Sequence, residues 1–316
     1  MKLLNPNEKV VMNSRQIWNE AMAEIGTVNE NVVALTADVS RSVCTEIFRK
    51  QFPERYLNVG IAEQNMLGTA AGLAMTGKLP YCCAFAPFLT MRAIEQFRTD
   101  CCYMNLNVKM VGAFGGTCEL GPTHSGLEDA GFIRGIANGA VICPSDPGMV
   151  KKAFAASLEY EGSLYIRLGG GANDPQIYDE DYELKIGKAI IAKEGTDATI
   201  ISFGLTLKYA VEAAAMLAQE GLSVGIIDMH TLKPLDKEAV LQAAAATGKI
   251  VTVEDHSIYN GLGTAVAEVL MDEGTPCKLR RLGIPDLYPS YGDNRSLHAK
   301  YGYDAAAIVK AIKSMF

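Results

Sequence analysis

From residue 14 onward the chain alternates short runs of β-branched and apolar residues with longer stretches in which apolar positions recur every three or four residues. That alternation marks a parallel sheet covered by helices on both faces. Asn13 or Ser14 can accept from the free amides of a first helical turn. Ile17, Trp18, Ala21, Met22 and Ile25 then form one apolar stripe, which Gly26 is expected to end. Buried strands are predicted at residues 32–35, 79–84, 109–113, 140–143 and 164–168, with helices at 62–75, 89–103, 127–137 and 149–160. The segment GGGANDPQIYDEDYE, residues 169–183, has the glycines, proline and acidic run of a linker. Beyond it, strands at 199–203, 224–228, 250–254 and 278–282 alternate with helices at 207–220, 237–247, 264–271 and 304–313. The expected fold is α/β, two doubly wound domains, residues 1–180 and a smaller 181–316. No internal repeat or low-complexity segment interrupts it.

Composition narrows the picture. With 316 residues and 49% hydrophobic content the chain can bury two cores. Charged residues make up 21% and the formal net charge is −7, so no basic field exists to attract nucleic acid. The N-terminus, MKLLNPNEKVVMNSRQ, turns polar after four residues, and no apolar run approaches the roughly 20 residues that span a bilayer. A cytoplasmic protein with no membrane partner is expected. The eight cysteines form neither CxxC nor a Cys/His zinc spacing, which fits reduced thiols, and the adjacent Cys82 and Cys83 should face opposite sides of a strand.

In open α/β sheets, ligands sit outside the carboxyl ends of the strands. That rule singles out residues 36–41, 58–65, 85–88 and 114–126. Glu63 opens an almost wholly apolar helical stretch through Met66, Leu67, Ala70, Ala71, Leu73 and Ala74, where a carboxylate is costly unless it is used or paired. The plain alternative is an acid favoured by the helix dipole, and spacing alone leaves both open. Phe85 and Phe88 flank Pro87 in a turn after a strand, and His124 lies in the glycine-bounded loop GPTHSG.

The segment GIAEQNMLGTAAGLAMTG resembles the part of transketolases and 1-deoxyxylulose-phosphate synthases in which a glutamate contacts the aminopyrimidine of thiamine diphosphate. ADVSRS before it, then FAPFLTMRAIEQFR, GPTHSGLEDAGFIRG, SLYIRLGGG and VEDHSIYNGLGTAVAEVL after it, extend the likeness over nearly the whole chain. The resemblance implies that Glu63 hydrogen-bonds the pyrimidine and relays a proton, so that the cofactor generates its carbon nucleophile. It further implies Phe88 stacked on the pyrimidine, Phe85, Ile61 and Asp38 as cofactor contacts, and His124 orienting cofactor or donor hydroxyls. Arg15, Ser40 and Arg167 match the family's binders of a substrate phosphate, a task suited to arginine's planar fork.

Two departures shift the expected substrate. Phe114 stands where the family loop has a histidine, and Leu120 where GEDGPTH-like runs have an aspartate. The GDG motif that holds Mg²⁺ and the diphosphate is missing. The resemblance therefore implies the pyrimidine-binding half of a split enzyme. It would be completed by an N-terminal diphosphate-binding subunit carrying Mg²⁺, in a dimer of heterodimers that moves a two-carbon ketol unit from a phosphorylated or otherwise anionic ketose to an aldose. The rival readings are a 1-deoxyxylulose-phosphate-synthase-like half, a 2-oxoacid dehydrogenase beta-type subunit and a non-catalytic regulatory homologue.

Overall fold

The structure, a computed structural model, describes residue 3 and residues 10–169, 174–179 and 181–316. The expected linker at 169–183 thus falls partly outside the described residues. Seven strands form the larger sheet, in the order Thr231–Lys233, Gly139–Ile142, Ser163–Leu168, Lys109–Ala113, Leu79–Phe85, Val32–Thr36, Tyr56–Asn58. All are parallel except Thr231–Lys233. A five-stranded sheet runs Lys278–Ile284, Lys249–Ser257, Ala198–Phe203, Val224–Asp228, Ile190–Lys193, the last antiparallel. The architecture is α/β, as the alternation predicts.

Period-two patterning divides the first sheet between two cores. Val32, Ala34, Cys83 and Val111 face the helices Ser14–Val28 and Pro147–Glu159. Val33, Leu35, Cys82 and Met110 face Glu63–Met75 and continue into a cluster that includes Ile201, Phe203, Met229, Val240 and Leu262 of the second half. Cys82 and Cys83 do fall on opposite faces. The two halves therefore share one apolar cluster, and the Thr231–Lys233 strand of the second half completes the first sheet.

Three expectations change. Gly26 lies inside helix Ser14–Val28 rather than at its end, because a side chain there would meet the Phe48 ring at 2.5 Å. Its smallness admits a neighbouring helix. Residues 89–103 are not one regular helix but Phe88–Arg92 and Phe97–Tyr103 in π-type turns around Ile94–Gln96, irregularity that is frequent near functional sites. The helix expected at 127–137 shrinks to Asp129–Arg134, followed by Gly135 and by Asn138 at positive φ. The eight cysteines are free thiols, seven of them buried. Among the described residues no helix is long and apolar enough to cross a membrane.

Candidate active site

The parallel strands all point their carboxyl ends to one edge of the larger sheet, and the candidate residues leave from there. Glu63 starts the helix Glu63–Met75 without a side-chain cap before it, and is 5% exposed. Its carboxylate accepts from Arg92 Nη1 at 3.1 Å. The Arg92 guanidinium lies 3.7 Å over the Phe88 ring, an arrangement in which charge meets the negative face of the ring. Phe85 packs edge-on to Phe88 at 5.2 Å and stacks on Phe114 at 5.5 Å. The half-buried His124 stands 4.9 Å from Phe85 and 5.3 Å from Phe88, with Nδ1 2.9 Å from the Thr123 hydroxyl. The structure thus brings Glu63, Phe85, Phe88 and His124 into one chain of contacts and adds Arg92, which the sequence reading missed. Ile61, just before them, is 79% exposed.

Asp38 and Ser40 belong to a neighbouring polar cleft with Arg41, Arg49, Tyr56 and Asn58. Asp38 takes positive φ and caps no helix. Its carboxylate accepts from Asn58 Nδ2 at 2.9 Å, while Asn58 Oδ1 accepts from the amides of Asp38 and Gly60. This ties the two strand-end turns together. Ser40 Oγ donates to Glu46 at 2.5 Å.

The three expected anion binders are not assembled. Arg167 is 2% exposed. Its Nε donates to the buried Asp129 at 2.8 Å and its Nη2 to the carbonyls of Gly126 and Asp255 at 2.8 and 2.9 Å. Burial works against the Arg167 charge, but the adjacent Asp129 carboxylate prevails and holds the guanidinium firmly protonated. Its Nη1 faces the Cys143 sulfur at 3.8 Å, so within this chain the whole fork is directed at protein groups.

Arg15 has different company. Its Nη2 donates to the Ser42 carbonyl at 2.9 Å and its guanidinium lies 5.5 Å from the Phe114 ring centre. These three line a small pocket with Ser14 and Trp18. Ser14 Oγ and Trp18 Nε1 are buried without a hydrogen-bond partner. Buried donors normally find partners, so two orphans beside a guanidinium mark a small polar pocket. Trp18 sits in an apolar stripe, where nothing in the sequence marks its indole N–H as available.

The family description "Transketolase, pyrimidine binding domain" matches residues 11–172, and "Transketolase, C-terminal domain" matches residues 187–308. A putative transketolase C-terminal section from Methanocaldococcus jannaschii is 41% identical, covering 94% of each chain. A 6-deoxy-6-sulfo-D-fructose transketolase subunit from a Clostridium species is 39% identical over 94% of this chain and 92% of the relative. Among solved structures, a split gene transketolase described as an inactive beta4 tetramer superimposes with a TM-score of 0.87 at 38% identity, over 96% of this chain and 98% of that one.

Proposed function

This chain belongs to the transketolase family as a subunit of transketolase-type transferase that works with a partner subunit, and we propose that it forms the pyrimidine side of a thiamine diphosphate site lying between the two. The observation that carries the assignment is the contact chain Glu63–Arg92–Phe88–His124 at the carboxyl edge of the sheet. Its residues fit the pyrimidine. A buried carboxylate can meet a ring nitrogen, and Phe88 has a flat apolar face for stacking; Arg92 occupies both in this structure and must give way to the pyrimidine. When bound, thiamine diphosphate supplies the carbon nucleophile for ketol transfer.

The chain's own groups then have separate tasks. Glu63 hydrogen-bonds the pyrimidine and holds or releases a proton there. Arg92, half-exposed and resting on Phe88, pairs with that carboxylate until the pyrimidine takes its place. Phe85 backs Phe88, Ile61 and Asp38 flank the ring, and His124 orients donor hydroxyls. The Arg15 pocket, with Ser14, Trp18 and Ser42, receives the anionic end of the ketose. Phe114 in its wall changes the shape of that pocket from one built around a histidine, which favours a ketose other than the common pentose phosphates. Mg²⁺ and the diphosphate are assigned to the partner, in a cytoplasmic dimer of heterodimers with the domains divided near residue 180.

Calorimetry with thiamine diphosphate and Mg²⁺ tests this reading. The isolated chain should bind weakly, because stacking and single hydrogen bonds contribute only about 1–3 kcal/mol each. Mixing with the diphosphate-binding subunit should produce tight binding and ketol transfer. Tight binding and transfer by this chain alone would refute it.

A further inference from the structure

The second-half motif VEDHSIYNGLG plays no part in the site described above, yet the structure lays its Asp255 against the loop that carries His124. Thr117 is the point of contact. Its N–H donates to both carboxylate oxygens of Asp255, at 3.1 and 3.0 Å. Its hydroxyl lies 2.9 Å from His298 Nε2 and 3.3 Å from Asp255 Oδ2. His298, itself buried, has Nδ1 2.8 Å from the Tyr209 hydroxyl and Nε2 3.3 Å from the Asp255 carboxylate. Tyr303 donates to Asp255 Oδ1 at 2.9 Å.

The loop accommodates this approach in its backbone. Gly116 takes φ +113°, and a Cβ there would sit 2.2 Å from Asp255 Oδ2, so the carboxylate comes this near only because the residue is glycine. At the far end of the loop, Arg167 joins the Gly126 carbonyl to the Asp255 carbonyl. The Gly116 amide donates to the Gly126 carbonyl at 2.7 Å. His124 therefore stands on a loop whose two ends are both tied to residue 255, 138 positions beyond Thr117.

We propose that Asp255, steadied by His298 and Tyr303, is a positioning residue of the active site: it locks the loop of residues 114–126 so that His124 is held beside Phe85 and Phe88. The smaller domain thereby takes part in the reaction without touching substrate. This rests on the reading of His124 as a group that orients the donor.

The kinetic test uses Asp255→Asn, Thr117→Val and Thr117→Ser in the reconstituted two-subunit enzyme. Asparagine keeps one acceptor for the Thr117 amide but loses the charge, and valine keeps the shape of Thr117 while removing its hydroxyl. Both should lower kcat and raise the KM for the ketose, with kcat/KM falling at least about tenfold, the effect of a misplaced orienting group. Half-saturation by thiamine diphosphate should stay within about twofold, since Glu63 and Phe88 are untouched. Thr117→Ser should recover most of the loss. A second readout, amide hydrogen exchange, needs only this chain: in Asp255→Ala the Thr117 amide should exchange at least about tenfold faster, with strand Lys109–Ala113 unchanged. Wild-type kcat/KM in both Asp255→Asn and Thr117→Val, or unaltered exchange at Thr117, would overturn the proposal. A wild-type complex that moves no ketol unit would instead refute the parent reading, and the exchange rates would then decide whether Asp255 holds the loop.

Discussion

Replacing Arg167 separates an internal tie from a substrate ligand. The side chain is 2% exposed and its partner Asp129 is fully buried, 2.8 Å away. Asp129 also accepts from the Tyr165 hydroxyl at 2.6 Å. Arg167→Ala would strand that carboxylate and leave the carbonyls of Gly126 and Asp255 without their donor. Removing one member of a buried pair costs about 3–5 kcal/mol, mostly as the penalty of the charge left behind. The lost contact with the Phe203 ring, 5.4 Å from the guanidinium, adds to this. At roughly 2–4 °C per kcal/mol for chains of this order, the melting temperature should fall by about 6–20 °C. Urea unfolding of the purified chain, followed by circular dichroism, measures the loss. Arg167→Met with Asp129→Asn should be less destabilised than Arg167→Met alone, because the uncompensated charge is gone. Unfolding of Arg167→Ala at the wild-type midpoint, with only a raised KM for an anionic ketose, would make Arg167 a substrate ligand instead of an internal tie.

Two further outcomes are expected. Glu63→Gln keeps the shape of the carboxylate but not its proton chemistry, so turnover of the reconstituted enzyme at saturating cofactor should fall at least about a hundredfold; wild-type turnover would remove Glu63 from the mechanism. Burial pushes the carboxyls of Glu254 and Asp228 up to about 7 each, whereas unfolded carboxyls titrate near about 4. Between those values the folded chain holds protons that the unfolded chain releases, so their contribution to stability falls as pH rises from about 4.5 to 7 and then levels off. Urea midpoints across that range should depend less steeply on pH in Glu254→Gln than in wild type, and an identical slope in both would contradict the shift.

The central strands were legible because they are fully buried runs of β-branched and apolar residues, whose identity as strands does not depend on their neighbours. Tyr56–Asn58, Ile190–Lys193 and Thr231–Lys233 were not, being short edge strands defined by pairing alone. Thr231–Lys233 even crosses to the sheet of the other half. The site divides in the same way. Glu63, Phe88 and His124 sit in motifs that survive as strings, whereas Arg92 matters only because a π-type turn lays it over Phe88. The chain reversal after Val32–Thr36 sends the Ser40 hydroxyl toward Glu46 and brings the Ser42 carbonyl to Arg15.

The geometry of the edge gives a physical reason for a partner subunit. Proton relay by a carboxylate and stabilisation of charge near the cofactor both gain strength from excluding water. Glu63 has that seclusion, but its surroundings do not: Ile61 is 79% exposed, Arg92 is half in solvent, and Asp38 and Asn58 lie open in the neighbouring cleft. An apolar side chain held out beside a buried acid contributes nothing to the stability of this chain, yet it becomes useful once another surface covers it. Covering would also strip water from Arg92, strengthening its hold on Glu63 unless the pyrimidine competes for that carboxylate. Partner and cofactor are thus expected to act together, the first making the site dry and the second releasing Glu63 from its arginine.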